Sequence, residues 1–396
     1  MARPWFEQLL TTPSDFGNET GALAMGTFDA SQATVDFVKH EAAVLVVGAG
    51  GLGCEVLKNL ALSGVQNIDV VDMDTIDVTN LNRQFLFRHA DVGRMKAEVA
   101  AEFIRKRVPA CTVTAHCCKI QDKPAEFYQG FSIVIGGLDN IEARRWLNAQ
   151  LHELVSTDDE GNVDPSTVIP FIDGGSEAFK GQARVIVPGF TSCFECSLDS
   201  FPPQTSFPLC TVAETPRKPE HCVAWALFAI QKTLANKEAD ELRAAWDKAF
   251  GAEVDLEKDD PDHMLFLFTK ASERAQRFHI EGVTLQLTSG VVKRIIPAIA
   301  STNAIIAAAC VNEAWKYLSF GSRLMETYMM YNGTMGVYSY TFAYQRKDNC
   351  PICCPDAQQT LVAPAKQTLR DFIAMITPLF QLSKPRCASV RARCGG

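Results

Sequence analysis

Short runs of aliphatic residues alternate, along the first half of the chain, with segments whose apolar positions recur every three or four residues. The first run, 42–47, stops at Gly48; residues 54–62 follow with helical spacing, and 68–72 form a second run. A helix over 97–107 and a buried strand over 131–135, ending at Gly136-Gly137, continue the series. Strand, glycine turn, helix, strand in that order predicts a parallel sheet with helices on both faces. Residues 1–40 read as polar and irregular, an extension able to serve as a docking arm.

The pattern changes after Val187. Residues 193–220 are rich in Cys and Pro and have little periodicity, which suits a structured crossing loop. From 221 to about 285 the spacing is helical, broken by the acidic stretch EVDLEKDDPD, and reads as a small helical domain inserted into the α/β domain. A long helix after Gly290 and the strand-like VYSYTFAYQ then return to the first domain. The expected division is an extension (1–40), an α/β domain in two parts (41–205 and 289–355), the crossing loop with the helical domain (206–288), and a terminal segment (356–396).

Composition narrows the class. With 47% hydrophobic and 21% charged residues, the chain is expected to be globular rather than disordered. A net charge of −8 disfavours a nucleic acid as the main partner. The opening MARPWFEQLL lacks the features of a secretory signal, and the apolar stretch 295–311 is too short to span a bilayer and contains Pro297 and Asn303. No membrane association is expected. In a chain of this size, 14 cysteines read as buried thiols, metal ligands or a nucleophile rather than a disulfide framework.

The turn Gly48-Ala49-Gly50-Gly51-Leu52-Gly53 fits G-x-G-x-x-G between a strand and a helix, where backbone N–H groups can receive a phosphate. Asp72, at the end of the next strand, can accept from ribose hydroxyls. These features alone leave a dinucleotide oxidoreductase open. The segment DTIDVTNLNRQF (74–85) and then DVGRMK (91–96) add Arg83 and Lys96, cations that suit a triphosphate losing pyrophosphate. Asp139, in GGLDN after the strand 131–135, stands where this fold puts ligands and is a candidate Mg²⁺ ligand.

Two C-x-x-C pairs, Cys193/Cys196 and Cys350/Cys353, suit a tetrahedral structural Zn²⁺ that pins the crossing loop to the end of the α/β domain; Cys354 is a further thiol beside it. Cys210, in FPLCTVAETPR, follows a proline-rich loop, with Arg217 and His221 near enough in sequence to favour a thiolate. Cys222 reads as structural.

GAGGLG, VDMDTIDVTNLNRQFLF, DVGRMKAE and GGLDN together resemble the ThiF/MoeB-type adenylation domain of the ubiquitin-activating superfamily. That resemblance implies a Rossmann-like fold, ATP and Mg²⁺ as cofactors, and a nucleotide site formed by Gly48, Gly50, Gly51, Gly53, Asp72, Asp74, Asn80, Arg83, Gln84, Lys96 and Asp139. It implies the same closed zinc site. FPLCTVAETPRKPEHC resembles the catalytic-cysteine motif of the family's eukaryotic members, which implies Cys210 as the nucleophile. IDGGSEAFKGQARVIVPG, GVVKRIIPAIASTNAIIAA and YSYTFAYQRKDNCPIC resemble most closely the catalytic subunits of neddylation-activating enzymes. That implies a regulatory subunit, a Rub/Nedd-type modifier and a conjugating enzyme as partners, and the cytoplasm and nucleus as location. Arg184, in Gln182-Ala183-Arg184, matches the position of a gating arginine that repels the arginine near ubiquitin's tail.

The family continues with a ubiquitin-fold domain that recruits the conjugating enzyme. Here 366–382 resembles only its opening, and SKPRCASVRARCGG shows no core periodicity. The expectation is that this domain is largely missing and hand-off weakened. The competing functions are a sulfur-carrier adenylyltransferase and an inactive scaffold that only binds the regulatory subunit.

Overall fold

The computed structural model describes residues 5–12, 28–158, 160–200, 212–234, 236–258, 260–292, 298–321, 326–354 and 368–379. Eight strands form one sheet: β1 (Ala43–Val47), β2 (Asn67–Val71), β3 (Thr112–His116), β4 (Ile133–Gly136), β5 (Phe171–Glu177), β6 (Lys180–Ile186), β7 (Tyr328–Asn332) and β8 (Tyr338–Phe342). Their order is β3-β2-β1-β4-β5-β6-β7-β8. The first five are parallel, as the alternating pattern predicts, and β6, β7 and β8 extend the sheet antiparallel. Of this extension only β8 was legible, within the strand-like VYSYTFAYQ. β5 reads FIDGGSE and β6 reads KGQARVI, strands whose glycines and polar residues hide the apolar run.

Strand alternation places the core on both faces. Val44 and Val46 of β1 join one cluster, with Leu57, Leu60, Ile68, Val70 and Ile306. Leu45 and Val47 point to the other, with Val71, Val134, Leu147, Leu151 and Phe194. The helices that cover these faces and carry the site are α3 (Gly51–Leu62), α4 (Lys96–Arg107), α6 (Ile141–Glu153) and α11 (Ala300–Ser319). Among them α11 packs on both α3 and β5.

The described part of residues 1–40 is neither irregular nor detached. Helices α1 (Trp5–Thr11) and α2 (Gln32–Asp36) are followed by a π-helical turn, Phe37–Glu41. Leu10, Phe28, Val35 and Val38 lie in the main core. Trp5 stacks on Trp315 of α11, and Lys39 pairs with Glu7 at 2.9 Å. Two to four apolar residues per short helix give too weak a period to detect in a polar segment, and the burial that selects them is tertiary.

A separate cluster, built on Trp225, Leu242, Trp246, Leu267 and Ala271, forms the core of the helical unit. It uses α7 (Pro219–Ile230), α8 (Lys237–Phe250), α9 (Pro261–Arg277) and α10 (Leu285–Val292). The long helix expected after Gly290 is α11. Gly290 itself lies inside the shorter α10, whose Val292 packs in the helical unit, and α11 starts at Ala300. Within 356–396 the described residues form the start and body of one helix, α12 (Leu369–Leu379), with Thr368 donating to Asp371 at 2.6 Å. Among the described residues, no helix is long and apolar enough to cross a membrane.

Candidate active site

The carboxyl ends of β1, β2 and β4 meet at the glycine turn. Gly48 follows β1 with φ +100°, and a Cβ there would come 2.8 Å from the Gly137 carbonyl oxygen beyond β4. A Cβ on Gly53 would overlap the carbonyl of Gly48, so the turn and the first helical residues pack backbone to backbone. Gly50 occupies the N-cap of α3 with no side-chain capping bond, and Gly51 is the first helical residue. Among the described residues no side chain caps that end, whose N–H groups can meet an anion.

Asp72 is held just past β2. Its carboxylate accepts from Ala49 N at 2.6 Å and from Asp74 N at 2.8 Å, tying the glycine turn to the next loop. Burial pushes its carboxyl above the ordinary value, against the lowering effect of those two N–H groups. Asp74 pairs with Lys96 at 2.8 Å. Lys96 is nearly buried at the first position of α4, where a cation opposes the helix dipole, so fold stability does not account for it. Asn80 closes a reciprocal cap with Asp77, its Oδ1 accepting from Asp77 N at 3.0 Å. Arg83 donates to Thr79 O at 3.0 Å and Asn82 Oδ1 at 3.1 Å, and its backbone runs beside Gly51. Gln84 is buried with Oε1 lacking a hydrogen bond among the described residues, and its side chain lies beside Gly50. Asp139 is exposed at the end of the β4 loop, Oδ1 accepting from Asn140 Nδ2 at 3.0 Å. An exposed carboxylate with one oxygen uncommitted by these bonds fits a Mg²⁺ ligand.

Two polar residues of this region belong to no sequence motif. Asn303 of α11 is buried against Gly51, where a Cβ would strike its amide, and it accepts from Ser176. A lone Asn in the apolar stretch 295–311 was the available signal. Arg144 of α6 reaches back to the Leu138 carbonyl at 2.6 Å, and nothing in its sequence context marked it.

The four cysteines of the two C-x-x-C pairs converge in the core. Sulfur separations are 3.5 Å for Cys193–Cys350, 3.4 Å for Cys196–Cys353 and 3.9 Å for Cys193–Cys196. A tetrahedral zinc would space its sulfurs about 3.8 Å apart, so the set fits such an ion. Hydrogen bonding between Cys193 and Cys353 pulls the Cys353 thiol down and pushes Cys193 up, and burial raises Cys196. Cys354 lies outside the four.

Cys210 is outside the described residues. Downstream, His221 Nδ1 accepts from Arg217 N at 3.2 Å, which brings those two together. Burial raises the Cys222 thiol, in keeping with a structural role. Arg184, on β6, is 2% exposed. Its guanidinium donates to Ser197 and to Tyr328 OH, and lies over the rings of Phe194 and Tyr328.

The ThiF family profile matches residues 36–363. A NEDD8-activating enzyme E1 catalytic subunit of Dictyostelium discoideum is 53% identical, over 93% of this chain and 82% of that protein. Its namesake from Drosophila melanogaster is 47% identical, over 93% and 80%. The chain belongs to the ThiF family and, within it, to the NEDD8-activating enzyme E1 catalytic subunits. Membership makes it an ATP-using activating enzyme for a ubiquitin-like modifier and sets aside the oxidoreductase and sulfur-carrier alternatives. Among solved structures, E. coli MccB with ATP superposes at a TM-score of 0.46 and 19% identity, over 81% of this chain and 69% of that one. That likeness is too distant to argue from.

Proposed function

We propose that this chain adenylates the C-terminal glycine of a NEDD8-type modifier and then captures it as a thioester on Cys210. The observation that carries the first half is the meeting of an uncapped helix N-terminus, Asp72 and the buried Lys96 at the carboxyl ends of a parallel sheet. Ribose hydroxyls donate to Asp72. The α3 N–H groups, Arg83 and Lys96 take the phosphates, Lys96 exchanging Asp74 for a phosphate oxygen. Asn80, Gln84 and the glycines 48, 50, 51 and 53 shape the cradle. A Mg²⁺ held by Asp139 would offset phosphate charge.

The modifier's carboxylate oxygen attacks the α-phosphorus and the bond to pyrophosphate breaks. The Cys210 thiolate then attacks the acyl carbon; the C–S bond forms, the C–O bond to AMP breaks, and AMP leaves with the electron pair. Cys193, Cys196, Cys350 and Cys353 hold a closed Zn²⁺ with no open position for chemistry. The regulatory subunit completes the enzyme, and a conjugating enzyme takes the thioester. Arg184 discriminates between modifiers only in a conformation that releases it from Ser197 and Tyr328.

The test mixes the chain with a regulatory subunit, ATP–Mg²⁺ and either ubiquitin or NEDD8. A reductant-sensitive adduct with NEDD8 alone is expected. Cys210→Ala should abolish it while ATP–pyrophosphate exchange persists. Equal loss of both activities in that variant would refute the division of labour; no exchange in the parent complex would leave only a partner-binding scaffold.

A further inference from the structure

Asp139 sits on the short loop between β4 and α6, and an exposed loop would ordinarily leave a carboxylate free to swing. This loop is braced from inside. Arg144, 7% exposed and one turn into α6, donates through Nη2 to Leu138 O at 2.6 Å and to Gly174 O on β5 at 3.0 Å. On its other side lies Asp173, 0% exposed, with Arg144 Nε 3.4 Å from Oδ1 and Nη1 3.5 Å from Oδ2. Asp173 Oδ1 has no hydrogen bond among the described residues, so the charge of this interior carboxylate leans on the guanidinium. A Cβ on Gly175 would stand 3.1 Å from both terminal nitrogens, so the glycine leaves the guanidinium the room it occupies beside β5.

A buried ion pair is a poor device for stability alone, because a hydrophobic pair of similar volume does as well or better. What a hydrophobic pair cannot do is bond the carbonyl of the residue immediately before Asp139. Leu138 and Asp139 share a peptide, so fixing that carbonyl fixes the plane from which the Asp139 side chain departs. The far side of the loop is closed by Asn140, whose Oδ1 accepts from Ala143 N at 2.7 Å and whose Nδ2 donates to Asp139.

We propose that Arg144, oriented by Asp173, is a positioning residue for Asp139: it fixes the Leu138 carbonyl and so aims the Asp139 carboxylate at a divalent cation bound with the nucleotide. The inference rests on the reading of Asp139 as that cation's ligand. A lysine at 144 keeps the charge and loses the planar fork that serves two carbonyls and a carboxylate at once.

The test uses the full chain with its regulatory subunit and ATP, titrated with Mn²⁺ as the probe and read by the electron paramagnetic resonance of the free ion. Arg144→Lys is expected to weaken Mn²⁺ binding to the ATP complex by about 10–100-fold, the usual effect of losing a ligand's supporting partner. ATP affinity in EDTA should stay at the parent value, and pyrophosphate exchange should recover as Mg²⁺ is raised. Asp173→Asn should shift Mn²⁺ binding in the same direction. If Arg144 acts through Asp139, the double variant Arg144→Lys/Asp139→Asn binds Mn²⁺ no worse than Asp139→Asn alone. Unchanged Mn²⁺ affinity with a lowered melting temperature, or losses that add in the double variant, would overturn the role of Arg144 alone. Parent Mn²⁺ affinity in Asp139→Asn would overturn the assignment of Asp139 and, with it, this proposal.

Discussion

Replacing Lys96 with Met separates what the fold needs from what the chemistry needs. The Lys96 side chain is 9% exposed, and its ammonium sits 2.8 Å from Asp74, whose own side chain is 52% exposed. Met preserves the unbranched stem and so most of its packing. The fold loses one half-exposed ion pair, about 0.2–1 kcal/mol by comparison with exposed pairs. It gains relief from a cation at a helix N-terminus, an unfavourable arrangement of about 0.3–1 kcal/mol. These nearly cancel, so the melting temperature should move by no more than about 2–4 °C. The adenylation step, by contrast, loses a fixed cation in a sheltered site, comparable to removing an oxyanion donor at about 2.7–4 kcal/mol, or roughly 10²–10³ in rate. ATP–pyrophosphate exchange at saturating ATP, run beside a thermal melt on the same preparation, reads both quantities. Exchange reduced by less than about one kcal/mol equivalent would show that no phosphate charge develops against Lys96. A melting temperature falling in step with exchange would show that the lysine is structural after all.

Two other outcomes follow from the same geometry. Cys353→Ser should release the metal from the cluster, lowering zinc from one equivalent per chain toward none by elemental analysis and destabilising the fold; retention of a full equivalent would mean that the four sulfurs are not its ligands. Burial raises the Asp72 carboxyl, so it protonates at a pH above the ordinary aspartate value of about 3.9. A raised carboxyl pKa means that the fold binds this proton more tightly than the unfolded chain does. This group therefore adds stability as pH falls toward that value, while nucleotide binding weakens because the acceptor for ribose is lost. Titration of nucleotide affinity should show its step above the ordinary aspartate value, and a step at that value would refute the effect.

The sequence by itself determined the nucleotide half of the molecule. Residues 42–72 carry a β-branched run, a glycine turn and a helical period within one short stretch, and such local order survives translation into structure because strand, turn and helix each depend on near neighbours. The convergence of the cysteine pairs was equally legible: thiols separated by two residues can face one ion, and the fold brings the two pairs within a few ångströms.

Tertiary structure decided what depends on contacts across long stretches of chain. The antiparallel half of the sheet rests on pairings such as Arg184 with Tyr328, which no local pattern announces through the glycines of β5 and β6. The packing of α1 is likewise a matter of its Trp5 and Phe6 finding Trp315 and Gly64, not of its own period. Most telling are the charged residues. Arg83, Arg144 and Arg184 look alike along the chain, yet one lies at the glycine turn, one braces the Asp139 loop and one is enclosed by aromatic rings. A side chain's charge is fixed by its covalent chemistry, but its solvation and its partners belong to whatever the rest of the fold brings beside it.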